Sequence, residues 1–475
     1  MLFNSLTFAI FLFIVFIIYW IIPHKFRWFL LLTASYYFYA CCNPKYMILI
    51  LISTTATYIS AILLEREENQ FRRKAILVVT LMICLGLLFL FKYFNFFLEG
   101  IVAVFGLFSI RLHPVTMNIL LPLGISFYTF QSLGYLIDVY RGKTRPEHHF
   151  GIYATFISFF PQLVSGPIGR AEILLPQIKS KKDFYYDGAS YGLKLMAWGF
   201  FKKLAISDVL AKCVDASYSS LQTCSGFDLL IVAFFFTIQI YCDFSGYSDI
   251  VIGTSKLLGI DLMINFKSPY FSMRIKEFWR RWHISLSTWF RDYVYIPLGG
   301  GRCSKPRHYL NLMITFLASG LWHGANWTFV VWGGIHGLAQ VIEDIFAKKI
   351  ESSKKITKFL SWFIVFFFIN MSWVLFRADT FSDAIYVFST IFSDMCHLNN
   401  EVHLPKTLDK YVMIELITAI GILTAFDYAS LKTDVIKWIT SRNIVIRWAT
   451  YLTLVWLTWL LMPSMGSAEF VYFQF

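Results

Sequence analysis

The sequence predicts an all-α polytopic membrane protein, and three observations carry that prediction. Of its 475 residues, 57% are hydrophobic and only 15% charged, whereas a soluble domain holds about 25% charged residues. Its mean hydropathy is +0.60. Apolar runs long enough to cross a hydrocarbon layer of about 30 Å recur along the chain. Lipid offers the backbone no hydrogen-bond partners, so self-satisfied helices are the expected spanning elements.

Taken in order, the apolar runs predict spans near 5–22, 27–40, 46–64, 75–98, 118–139, 150–165, 188–210, 228–256, 310–345, 357–376, 411–429 and 445–463. The runs 27–40 and 150–165 are short for a full crossing, so tilt or partial insertion is expected there, with about eleven crossings in all. The run Leu6 to Ile22 lacks a basic leader and a small-residue cleavage site, which predicts a retained span. The whole of 1–475 reads as one integral membrane domain.

The net charge of +13 falls in short loops such as Arg72-Arg73-Lys74, Arg141 to Arg145, Lys179 to Lys182 and Lys354-Lys355. That is the pattern of cytoplasmic loops facing membrane lipid, and it gives no reason to expect nucleic acid. It orients His24 to Arg27, Glu65 to Lys74 and Arg141 to Arg145 toward the cytoplasm, and Asn4 and the Cys41 to Lys45 turn outward. Parity then puts 99–117 outside and makes 100–110 a surface or re-entrant element. The eight cysteines show no paired spacing, so neither a disulfide nor a metal site is expected.

The stretch 259–309 is dense in Arg, Trp, Tyr and Pro and reads as neither a clean span nor a loose loop. It predicts amphipathic or re-entrant helices lining a cytoplasmic-side funnel, since irregular backbone at membrane depth needs protein or a water-lined cavity around it. No fixed repeat and no matched pair of broken segments is visible, which counts against an inverted-repeat transporter.

Two histidines lie in the most apolar surroundings. His283 follows Trp282 after Arg280 and Arg281; His323 follows Trp322 and precedes Gly324-Ala325-Asn326. Burying an imidazole is costly without hydrogen bonds, so such residues mark candidate sites. Acyl transfer to a hydroxyl needs a base for its proton and a donor to the carbonyl oxygen. His323 is the candidate base, with His283 to hold the donor thioester or stabilise the oxyanion. Asn326, three residues beyond His323, would share its face on a helix and orient the ring. His336 would lie about 220° around one continuous helix from His323, which suggests a structural role. Asp243 and Asp249 would diverge by about 120°. They pair either structurally or with Arg280, Arg281 or Arg291, and Asp292 belongs to the same polar wall. Gln162, Ser165, Gly166, Pro167 and Arg170 form a second polar, kinked patch suited to a cavity wall.

Absent motifs narrow the chemistry. There is no G-x-S-x-G elbow and no phosphate-binding glycine loop. The H-x4-D pattern fails, because Thr288 and Thr328 stand fifth after His283 and His323. A covalent acyl-serine is therefore not supported.

Several blocks in one order resemble the membrane-bound O-acyltransferases, in particular the bacterial polysaccharide branch typified by the membrane subunit of alginate O-acetylation. They are Met1 to Ser5, Leu121 to Tyr128, Pro161 to Ile168, Asp243 to Asp249, Phe278 to Asp292, Leu321 to Gly324 and Phe470 to Phe475. The resemblance implies a ring of about eleven tilted helices around a central tunnel. It implies that His323 is the catalytic histidine, that His283 holds the second active-site position, and that Phe470 to Phe475 dock near the tunnel mouth. It implies acetyl-CoA as donor substrate with no bound cofactor, and a separate extracytoplasmic SGNH-type transferase that delivers acetyl to a polysaccharide. The implied location is the bacterial inner membrane. A D-alanyl transferase, a transporter or flippase, and a scaffold for an extracellular enzyme are the competing readings.

Overall fold

The computed structural model describes residues 1, 3–110, 121–346, 355–395 and 410–462. The Phe470 to Phe475 segment and 111–117 of the outward stretch lie outside the described residues. All regular structure among the described residues is helical. Six helices are long and apolar enough to cross a membrane: Pro44–Arg66, Gln70–Leu107, Gly226–Leu257, Lys355–Arg377, Lys410–Ser430 and Ile444–Leu461. The chain is a multi-pass membrane protein. The runs at 5–22, 27–40, 118–139 and 150–165 fold as the shorter helices Leu6–Ile21, His24–Ala40, Ile125–Tyr140 and Phe150–Ser158.

Two helices depart from the spans read in the sequence. The run at 75–98 continues through a wide turn at Phe89–Tyr93 into Phe94–Leu107, so 100–107 belong to the same helix. The run at 310–345 is two helices, Lys305–His323 and Trp327–Phe346, broken at Gly324.

The chain divides into two compact units. The first comprises Met1–Ser190 with Thr254–Met263. Helices Leu6–Ile21 and Gln70–Leu88 begin at side-chain caps: Ser5 accepts from the Phe8 amide and Asn69 from Phe71. Helix Ile125–Tyr140 is buried along nearly its whole length, and Gln131 on it is bonded inside the unit. Gln131 donates to the Phe156 carbonyl at 2.6 Å and accepts from Gln162 at 3.1 Å. Gln162 is thus buried and holds its own kink closed.

The second unit comprises Tyr191–Gly253 with Ile264–Phe475. Gly226–Leu257 runs through its interior, while Lys410–Ser430 and Ile444–Leu461 present apolar side chains outward. The segment Tyr186–Phe200 packs against the buried helix through glycine: a Cβ at Gly199 would stand 2.6 Å from the Gly246 carbonyl oxygen. The 259–309 stretch resolves into a short 3₁₀ turn at Pro269–Phe271, the helices Ile275–Arg281 and Ile284–Phe290, and a wide turn at Arg291–Tyr295.

Candidate active site

His323 ends the helix Lys305–His323, and Gly324 leaves in extended backbone. Helix Trp327–Phe346 then doubles back against the first. The two touch through glycine: a Cβ at Gly320 would stand 2.3 Å from the Phe329 carbonyl oxygen, and one at Gly333 2.3 Å from that of Phe316. This hairpin fixes His323 inside the unit, only 3% exposed.

The break overturns the role expected for Asn326. The helix stops at His323, so Asn326 does not share its face. Its side chain accepts from the Thr328 amide at 3.1 Å and donates to the Asp379 carbonyl at 2.9 Å, capping the returning helix. The break also removes the premise of one continuous helix between His323 and His336. Trp332 stands between the two rings, 5.2 Å from His323 and 4.9 Å from His336 by centroids.

His283 is fully buried and holds a left-handed backbone, φ 43°. A residue with a Cβ pays about 1–2 kcal/mol there, so its neighbours must impose the conformation. They do so through hydrogen bonds from the Lys267 amide to the Arg281 carbonyl and from the Ile284 amide to the Asn265 carbonyl, both 3.0 Å. The ring meets Phe244 edge-on at 4.6 Å. Its centroid lies 6.5 Å from that of His323, and Trp322 sits against both, at 6.1 and 5.1 Å. His283 lies outside the spanning helices, and burial alone pushes its imidazole down to about 3. The ring is therefore neutral at physiological pH.

His336 has both ring nitrogens committed. Trp279 Nε1 donates to Nδ1 at 3.3 Å. Nε2 lies 3.1 Å from Ser372 Oγ, which donates onward to the Ile369 carbonyl. Donation through the chain requires the proton on Nε2, so one neutral tautomer is fixed. Around these rings Trp332 stacks on Trp373 at 5.5 Å, and Trp282 packs on Trp373 at 5.0 Å. Trp282 is thus joined to His323 through Trp373 and then Trp332 or Phe376.

Of the two pairings open to Asp243 and Asp249, the structural one holds: they pair with lysines and not with Arg280, Arg281 or Arg291. Lys203 Nζ lies 2.6 Å from Asp243 and 2.9 Å from Asp208; Lys202 Nζ lies 2.6 Å from Asp249. Both lysines are buried on the wide turn Phe201–Ser207, which aims consecutive residues inward. The arginines are engaged elsewhere or exposed: Arg281 with Glu277 at 2.6 Å, Arg291 with Asp292 at 2.8 Å, and Arg280 on the surface. Tyr241 adds a 2.6 Å hydrogen bond to Asp427. Among the described residues no group of His, Cys, Asp and Glu is arranged to hold a metal ion.

Residues 147–378 match the model of the membrane-bound O-acyltransferase family. The chain is 43% identical over 303 residues to the probable alginate O-acetylase of Azotobacter vinelandii, a match covering 64% of this chain and 60% of that protein. It is 35% identical over 378 residues to the peptidoglycan O-acetyltransferase of Helicobacter pylori, covering 72% of this chain and 70% of that protein. The chain belongs to the membrane-bound O-acyltransferase family. A teichoic acid D-alanyltransferase of Streptococcus thermophilus is 30% identical over 59% of this chain and 75% of its own length. The match spans 60% of the length of the alginate relatives from Azotobacter vinelandii and Pseudomonas aeruginosa.

In this family member, the matched segment holds both candidate histidines and most of the aromatic cluster around them. Sequence reasoning missed Trp279, Ser372, Trp332, Trp373 and Phe376, which surround His323 and His336 but look like ordinary apolar-helix residues in the chain. It also missed Lys202 and Lys203. Their signal was present: two adjacent lysines inside the apolar run 188–210, and two aspartates inside the run 228–256.

Proposed function

We propose that this chain is an integral membrane O-acyltransferase that takes acetyl from acetyl-CoA on the cytoplasmic side and passes it across the membrane for O-acetylation of an extracytoplasmic polysaccharide. The observation that carries the reading is the approach of His283 and His323 to 6.5 Å inside a buried aromatic cluster. Family membership supplies the reaction class.

In this reading His323 is the base. It takes the proton of the acceptor hydroxyl as that oxygen attacks the thioester carbonyl. The carbon–sulfur bond breaks, and the proton passes to the departing thiolate. The helix ending at His323 directs its carbonyl end toward the ring, which favours the positive charge His323 carries after proton capture. His283, neutral, donates from a ring N–H to the carbonyl oxygen as negative charge develops there. Asp292, Arg280, Arg281 and Arg291 lie outside this pair and serve the 259–309 helices, proposed to line the donor's entry funnel. The whole chain acts as one acyltransferase domain, proposed as a ring of tilted helices around a tunnel in a bacterial inner membrane. An SGNH-type transferase outside would receive the acetyl group.

A second reading, D-alanyl transfer to a wall polymer, draws on the Streptococcus thermophilus relative and its 75% coverage. The test uses purified protein in sealed vesicles, with labelled acetyl-CoA or a labelled D-alanyl carrier outside. Label leaving only acetyl-CoA supports acetylation. Label leaving only the D-alanyl carrier replaces it with the second reading, and label leaving neither defeats both.

A further inference from the structure

We propose that Asn265 is the positioning residue that sets the His283 ring for acyl transfer; this rests on the reading of His283 given above. Asn265 is fully buried. Its backbone carbonyl accepts from the Ile284 amide at 3.0 Å, and its side-chain oxygen accepts from the next amide, Ser285, at 3.3 Å. Two consecutive amides immediately after the left-handed residue are therefore held by one asparagine. The side-chain nitrogen donates to Ser248 Oγ at 3.4 Å, a residue of the buried helix Gly226–Leu257.

That helix also supplies Phe244, whose ring meets His283 at 4.6 Å. Phe244 and Ser248 are four residues apart, so they lie on one helix face. One touches the imidazole, and the other anchors the asparagine that fixes its backbone. Asparagine suits this position because it offers an acceptor and a donor at once; alanine offers neither, and aspartate keeps the acceptor for Ser285. The strained φ of 43° at His283 is then the conformation this clamp selects.

The experiment compares wild type, Asn265→Ala, Asn265→Asp and Ser248→Ala, each purified in detergent. Acetyl transfer from acetyl-CoA is measured with histidine-¹⁵N spectra, the His283 resonance being assigned by its loss in His283→Gln. Asn265→Ala should lower kcat roughly 100-fold, the scale of a misplaced group, with KM for acetyl-CoA held. The His283 ring resonance should move while that of His336, tied to Trp279 and Ser372, stays put. Asn265→Asp should recover most of the rate. Wild-type kcat in Asn265→Ala, or a lost rate with an unmoved His283 resonance, overturns the proposal. Should Asn265→Ala fail to fold, Ser248→Ala replaces it: a moved His283 resonance supports the clamp and an unmoved one overturns it. A wild-type protein that transfers no acetyl defeats the acyltransferase reading alone, and the resonance then decides the positioning role by itself.

Discussion

The rings of His283 and His323 lie 6.5 Å apart by centroids and inclined by 59°, although forty residues separate them in the chain. Each reaches that place through an interruption of helix. His323 is the last residue before the Gly324 break, and His283 is the left-handed residue between two short helices. Trp322 packs against both rings, so the pair shares one wall.

His336 should prove structural. Its nitrogens are bonded to Trp279 and Ser372, leaving no lone pair for a substrate proton. His336→Ala strands the buried Trp279 N–H and should cost about 1–3 kcal/mol of stability. The rate per folded molecule should stay within several-fold of wild type. Thermal unfolding in detergent and kcat normalised to folded protein check this.

Lys203 should be essential to folding and not to chemistry. Replacing it with Met leaves Asp208 and Asp243 buried without their shared ammonium. Losing one partner of such a buried pair costs about 3–5 kcal/mol. Size-exclusion chromatography should show aggregated Lys203→Met, with partial recovery when Asp243→Asn is added.

The hairpin should tolerate no side chain at Gly320. An added Cβ would sit 2.3 Å from a backbone oxygen on the returning helix, which has no flexible end to give way. Gly320→Ala should sharply reduce monodisperse protein. Gly86, with nothing within 4 Å of an added Cβ, should accept alanine unchanged.

His283 gives a stability limb in acid. Its folded pKa, about 3, lies below the unfolded value near 6.5. Between these values the unfolded chain binds the proton and the folded chain does not. Its contribution is therefore full above about pH 6.5 and lost as pH falls toward 3. Melting temperature should fall less steeply from pH 7 to pH 4 in His283→Gln than in wild type. The wild-type rate should show no titration of His283 between pH 5 and 8.

Much of this was legible in the chain. The spans at 46–64, 228–256, 357–376, 411–429 and 445–463 announce themselves because lipid demands long apolar runs. His283 and His323 stand out because imidazoles are rare in such company. Asn326 was misplaced because Gly324 ends the helix one residue after His323, and an apolar count over 310–345 does not register a single break. The partners of Asp243 and Asp249 were left open for a different reason. Charge complementarity over long distances offers several arginines and lysines, and only the wide turn at Phe201–Ser207 decides that Lys202 and Lys203 face inward.

The central claim is that His323 is the base of acyl transfer. The most direct measurement follows labelled acetyl from acetyl-CoA with purified wild type and His323→Ala in sealed vesicles, alongside the melting temperature of each. The account predicts that His323→Ala still folds, with a melting temperature lowered by the loss of one buried ring, and releases no acetyl from CoA above background. Equal release by the two proteins would contradict it and leave His323 a packing residue.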